Sequence, residues 1–230
     1  MSMRERAVDL TEIMDDPDCD PVRLAATYRR FDTVNRLVAG WGGVYRTRLR
    51  PYLRSMGRPA RVLDLGSGGG DLVARLDALT RKDGLAVEWT GADPDPRAYD
   101  AARGRSSSSI RFVRADSTEL LAAGETFDVV VSNHVLHHLS PAALTRFADD
   151  SLSLSRGTVL HADIERGRLA YALYGVGVAP LAPGTFLHTD GLRSIRRSYR
   201  AAELAEALGK PWRVDRPAPF RLVATGAGRA

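Results

Sequence analysis

The sequence predicts an α/β fold, doubly wound, with a mostly parallel seven-stranded sheet and an antiparallel C-terminal strand. Three observations predict it. After Pro59, short β-type runs alternate with helical stretches, the pattern of right-handed βαβ units. The buried-type run Val62-Leu63-Asp64-Leu65 breaks into glycines and then a helix, as the first strand–turn–helix of such folds does. With 230 residues, 44% apolar and 27% charged, the chain can bury a sizeable core.

The elements follow in order. Residues 1–20 carry seven acidic side chains against two arginines and end in Asp15-Asp16-Pro17-Asp18-Cys19-Asp20-Pro21, which reads as a flexible acidic arm. Residues 21–57 read as a helical lid: Leu24, Tyr28, Phe31, Val34 and Leu37 recur at helical steps, and Tyr45, Leu49 and Leu53 resume the pattern after Gly40, Gly42 and Gly43. The core spans 58–163, with strands expected at 61–65, 86–91, 110–114, 127–132 and 158–162. Helices are expected at 71–80, 96–103, 117–123 and 141–154. Residues 164–199 make a longer connection than such a unit requires. They read as an apolar helix (169–178), a Pro/Gly-rich loop and a basic helix, a substrate cap beyond the carboxyl end of a strand. Arg193, Arg196, Arg197 and Arg200 share one helical face, expected to be solvated. Residues 200–230 return to the sheet through a helix at 201–208 and an antiparallel hairpin at 212–214 and 220–225.

Composition excludes several classes. Cys19 is the only cysteine, so no internal disulfide or multi-cysteine metal centre is expected. No apolar stretch approaches the roughly 18 residues of a membrane span. The first ten residues lack the apolar core of a signal peptide, so a cytoplasmic protein is expected. Net charge is +5, but lysine stands only at Lys82 and Lys210, and the arginines are spread without aromatic interleaving. Nucleic acid is therefore not expected as a partner.

The chemistry concentrates at strand ends. In Asp64-Leu65-Gly66-Ser67-Gly68-Gly69-Gly70-Asp71 the glycines are spaced G-x-G-x-G, and Asp64 precedes the first by two residues. Glycines let a ligand approach the backbone, and the following helix N-terminus offers free N–H groups. An acid there is unfavourable beside a pyrophosphate and suits a cofactor that carries an ammonium group. Asp93, followed by Pro94, ends the second strand, where an acid can accept from both ribose hydroxyls. Asp116, before Ser117, ends the third and can accept from an adenine amine. Either alone reads as a helix N-cap; three acids on successive strand ends point to a nucleoside site. After the fourth strand, Asn133-His134-Val135-Leu136-His137-His138 holds three of the five histidines. His134 and His138 have helical spacing for a metal pair, but no H-E-x-x-H glutamate accompanies them, and no metal is expected.

On these residues the chain resembles the class I S-adenosylmethionine-dependent methyltransferases, most fully over 58–163. The resemblance implies a Rossmann-like fold with S-adenosylmethionine as cofactor. Gly66, Ser67 and Gly68, with Asp64, would meet its methionine portion; Asp93 and Pro94 its ribose; Asp116 and Ser117 its adenine; Asn133 would lie beside them. Tyr28-Arg29-Arg30-Phe31-Asp32-Thr33-Val34-Asn35 is similar to the lid start of quinone-type methyltransferases, with their F/Y-D-x-x-N. In some natural-product O-methyltransferases of the family, the first His of such a pair and the Asp ending the fifth strand act together; His137 and Asp163 match both. The HADIER, RLAYALYG and HTDGLRSIRR segments are similar to methyltransferases associated with phenolic polyketide pathways.

Methyl transfer from a sulfonium is an in-line displacement, so positioning and exclusion of water supply much of the catalysis. A phenol ionises near pH ~10, and a histidine oriented by a carboxylate is a suitable base for it. The expected activity is transfer of a methyl group to an oxygen of a hydrophobic, phenolic or polyketide-type small molecule, with His137 oriented by Asp163 as the base. His188 is a second base candidate, or the cap of the helix that follows it. The alternatives are C-methylation of a quinone or aromatic ring, nucleic-acid methylation, and cofactor binding without turnover. The absence of an N/D-P-P-Y-type segment after the fourth strand argues against nucleic acid.

Overall fold

Seven strands form one sheet: β1 (Ala60–Leu65), β2 (Val87–Ala92), β3 (Ile110–Val113), β4 (Phe127–Asn133), β5 (Ser155–Ile164), β6 (Arg213–Ala218) and β7 (Arg221–Ala227). Their order is β3-β2-β1-β4-β5-β7-β6. The computed structural model of the chain describes residues 3–230. Met1 and Ser2, the start of the expected arm, and the side chains of Leu37 and Val38 lie outside the described residues. The first five strands are parallel, and β7 runs antiparallel between β5 and β6. The sheet order reverses at β1, which pairs β2 on one side and β4 on the other. In such sheets this switch point opens a crevice beyond the carboxyl ends of the strands.

Side-chain alternation explains why helices cover both faces. Val62 of β1 packs with Val73, Leu76, Val129 and Leu160 on one face. Leu63 and Leu65 pack with Phe127, Leu152 and Val159 on the other. The helices that follow are α1 (Pro21–Val38), α2 (Trp41–Val44), α3 (Arg50–Ser55), α4 (Asp71–Lys82), α5 (Pro96–Ala102), α6 (Ser117–Ala122), α7 (Pro141–Leu154), α8 (Arg168–Gly177), α9 (Leu187–Arg197) and α10 (Ala201–Leu208). Several begin as their sequences dictate. Asp20, Asp95 and Ser140 cap α1, α5 and α7, each followed by a proline in the first turn.

Three expectations change. First, only α1 of the expected lid overhangs the carboxyl edge of the sheet. Trp41, Val44, Tyr45, Leu49 and Leu53 are buried in the core beside Val62 and Leu76, because so large an apolar face is stable only against the sheet. Second, the described part of the acidic arm is fastened rather than loose. Ile13 and Met14 donate their amides to Asp190 (2.8 and 3.0 Å), and Arg97 donates to the carbonyls of Met14 and Asp16. Third, the basic face of α9 is not a solvated one. Arg193 donates to the carbonyl of Thr11, and Arg197 lies 3.5 Å from Asp15. Arg200 falls outside α9 and donates to the carbonyl of Met3. The acidic arm thus lies against the basic helix, with Arg197 and Asp15 as the ion pair between these segments remote in sequence.

Candidate active site

A cavity of about 930 Å³ opens over the carboxyl ends of β1, β4 and β5, roofed by α1, α8, α9 and the arm. A smaller one of about 220 Å³ adjoins it and shares Gly66, Pro94 and Val135 with it.

The glycine turn after β1 separates the two. Gly66 has φ +72°, and a Cβ there would overlap Val135, so glycine is required both by conformation and by space. Gly68 donates its amide to Asp93 Oδ2 at 2.9 Å, while Asp93 Oδ1 accepts from the amide of Asp95. Asp64 is 1% exposed, and its Oδ1 has no hydrogen-bond partner. Burial first, then the charges of Asp71 and Asp93, hold its carboxyl well above the usual range. Asp71 and Asp93 are themselves raised by burial. Asp71 accepts from Nδ2 of Asn35 at 2.9 Å, which ties the Phe31-Asp32-Thr33-Val34-Asn35 motif of α1 to the start of α4. None of the three acids forms an ion pair among the described residues. A wall with uncompensated carboxylates and an orphaned buried oxygen fits a cationic group such as an ammonium.

Asp116 and Ser117 line the smaller cavity, between Pro94, Leu139 and Phe147. Asp116 is also the N-cap of α6, in a capping box with Glu119. Ser117 Oγ donates to Asp150 of α7 at 2.6 Å.

His137 and Asp163 meet at the far wall. The imidazole Nδ1 lies 2.7 Å from Asp163 Oδ1, and the His137 amide donates to Oδ2 at 3.0 Å. His137 is 1% exposed. Burial pulls its pKa down, but the Asp163 carboxylate and then Glu12 outweigh burial and lift it to about 9. Asp163 is held well below its ordinary value by the imidazole, against the effect of burial. Glu12, from the arm, places Oε1 3.4 Å from His137 Nε2 and accepts from Ser194 Oγ at 2.6 Å. His138 Nε2 lies 3.7 Å from the same oxygen, and its Nδ1 is 3.1 Å from Asp15. Glu12 is 4% exposed; burial pushes its carboxyl up, and the two histidines together bring it below its usual value. Spacing along the sequence gives no hint of Glu12. Its only trace there is the acidity of the arm set against the basicity of α9.

His134 does not join His138 as a ligand pair. It sits at φ +62°, and its Nε2 accepts from Arg221 Nη1 at 2.9 Å. Burial and the Arg221 charge hold it neutral, well below the usual imidazole range. Asn133 Oδ1 accepts from Arg221 Nη2, so Asn133 lines the cavity while tied to β7. His188 is not brought to the site. Leu187, Asp190, Gly191, Ser194 and Ile195 of α9 line the cavity, a stripe at helical steps from which His188 is absent. Nor does it cap the helix, whose N-cap is Phe186.

The family model described as methyltransferase domain matches residues 62–157. A ubiquinone biosynthesis O-methyltransferase of Brucella melitensis is 36% identical over 124 residues, 51% of this chain and 46% of that protein. An uncharacterized methyltransferase of Mycolicibacterium vanbaalenii is 31% identical over 144 residues, 62% of this chain and 48% of that protein. The chain thus spans about half the length of the curated relatives it matches. Among solved structures, the plantazolicin methyltransferase BpumL in complex with SAH has a TM-score of 0.63 at 14% identity, covering 95% of this chain and 93% of that one. Human N-acetylserotonin methyltransferase in complex with SAM has a TM-score of 0.61 at 14% identity, covering 88% and 55%. The match to a methyltransferase domain thus lies on residues 62–157, and the fold is the one these SAH- and SAM-bound methyltransferases share.

Proposed function

We propose that this protein transfers the methyl group of S-adenosylmethionine to an oxygen of a hydrophobic, phenolic small molecule, with His137, oriented by Asp163, taking the acceptor's proton. The observation that carries the reading is a buried imidazole–carboxylate pair facing the same cavity as the uncompensated acids of the glycine turn. Bound there, the cofactor supplies a methyl carbon activated by its sulfonium. Asp64 offers a buried oxygen to the amino group, Gly66, Ser67 and Gly68 lie along the methionine portion, and Asn133 is beside them. Asp93 with Pro94 faces the ribose, and Asp116 and Ser117 border the adenine slot.

The acceptor side is apolar. Phe31, Val34, Leu173, Tyr174, Val178 and Leu187 line it, which suits a hydrophobic ring and keeps water from the transfer. Asp163 holds the ring through Oδ1 on Nδ1 and the backbone amide of His137 through Oδ2, which leaves Nε2 free of Asp163. Glu12 borders that nitrogen, so an acceptor hydroxyl reaches it only by sharing or taking the place of the carboxylate. A base near 9 and a phenol near ~10 are closely matched for proton transfer. The Brucella relative, by name an O-methyltransferase, supports an oxygen acceptor over a ring carbon.

Calorimetric titration with S-adenosylmethionine and S-adenosylhomocysteine, on wild type and Asp93→Ala, tests the cofactor. Binding weakened by the substitution is the expected result, and no binding by folded wild type would overturn the reading. Mass and NMR analysis of products from phenolic acceptors then separates O- from C-methylation.

A further inference from the structure

Arg221 opens β7 opposite Ile164, and its guanidinium reaches across to Asn133 and His134 at the end of β4. It is 4% exposed and lines the large cavity together with Gly40, Ile164, Ala218, Pro219 and Phe220. Both partners of its terminal nitrogens are neutral groups, the Asn133 carbonyl oxygen and the uncharged His134 ring, each 2.9 Å away. Its Nε is buried without a hydrogen-bond partner. Arg221 forms no ion pair with any carboxylate among the described residues. The acid that influences it, Asp163, already accepts from His137 Nδ1–H, the His137 amide and the Ile164 amide. Burial draws the guanidinium down to about 10, against the opposing influence of Asp163, which lies outside ion-pair contact.

Taking a charge out of water is unfavourable by several kcal/mol unless an opposite charge meets it. The chain nevertheless keeps this one, with an open donor, against the wall of the large cavity. We propose that Arg221 forms a carboxylate-binding subsite, its fork-shaped donor set receiving a ligand carboxylate at the β5–β7 side of the cavity. Two ligands can bring that carboxylate, the methyl acceptor or the amino-acid end of the cofactor, and the second source rests on the methyltransferase reading. The competing role is mechanical: Arg221 as a peg that holds His134 in its left-handed conformation.

The test uses two probe pairs that differ only in carboxylate against carboxamide: S-adenosylhomocysteine with its amide, and benzoate with benzamide. Each is titrated calorimetrically into wild type, Arg221→Gln and Arg221→Lys at constant ionic strength. The expected result is that wild type prefers one carboxylate probe over its amide at least tenfold, that Arg221→Gln erases the preference, and that Arg221→Lys retains part of it. Preference within the homocysteine pair assigns the cofactor as the source; preference within the benzoate pair assigns the acceptor. Equal binding within both pairs by wild type overturns the subsite, as does an unchanged preference in folded Arg221→Gln, which would leave only the peg. The wild-type comparison decides even where Arg221→Gln does not fold. Failure of the methyltransferase reading has a different signature, since wild type would then bind neither adenosine probe while the benzoate pair still tests Arg221.

Discussion

The two ends of the cavity are built on different plans. Around the glycine turn the acids share one sheet edge, and their separation along the chain follows the strand–helix repeat. At the opposite wall, Glu12 comes from the arm, His137 from the β4 exit, Asp163 from β5, Ser194 from the cap and Arg221 from β7. The first end is negative and uncompensated, whereas the second pairs its charges, except at Arg221. The difference teaches that the repeat of the fold supplies a binding surface, while the reacting end is assembled from elements that the repeat does not bring together.

His137→Ala breaks the comparison hardest. It is expected to lower kcat for a phenolic acceptor by about 10²–10⁴-fold with S-adenosylhomocysteine affinity unchanged by calorimetry. Near-normal turnover would return the acceptor to a ring carbon. Asp64→Asn strikes the other end, with opposite signs in two assays. Without the amino group's counter-charge, cofactor affinity should fall by about tenfold, roughly 1.4 kcal/mol. The ligand-free protein should meanwhile gain thermal stability, because a neutral amide removes the cost of burying an acid and, second, its repulsion with Asp71 and Asp93. Loss of stability in parallel with affinity would mean that Asp64 is a structural support.

Legibility divides along the same line. The turn could be read because its glycines and Asp64 are contiguous, and Asp93 and Asp116 follow at the ends of strands with clear periodicity. His137 and Asp163 were marked by family resemblance, which their direct contact now gives a physical basis. Glu12 and Arg221 could not be read: one meets a residue 125 positions on, the other residues 87 and 88 positions back. His188 misled because it reads as a loop residue, whereas it lies in α9, one step and about 100° around from the lining stripe. The basic face of α9 misled in a related way, since Arg193 and Arg197 meet the chain's own arm.

Glu12→Gln sharpens the comparison by altering the reacting end alone. With both carboxylates present, His137 stays protonated until about pH 9, so turnover of an acceptor that remains un-ionised should rise toward that pH. Removing the Glu12 charge lowers the imidazole's pKa, and the rise should move to lower pH in a pH–kcat/KM profile. A profile that does not move would disconnect Glu12 from the base. The smallest expected effect is that of a chelator. Turnover by the His137 route should survive dialysis against EDTA; loss restored by a divalent cation would instead reassign Glu12, His137 and His138, whose ligand-type atoms lie within 4.8 Å of one another.

The fastening of the arm and the insertion of β7 have a kinetic consequence. Glu12 needs Ser194 of α9, 182 residues away, and His134 needs Arg221 of β7, 87 residues away, to complete their contacts. A half-folded chain can therefore own a complete glycine turn and still lack its reacting wall. Contacts of such long sequence separation form late and slow the search for the native state. During refolding, the ability to capture an adenosine ligand should return before the ability to turn over.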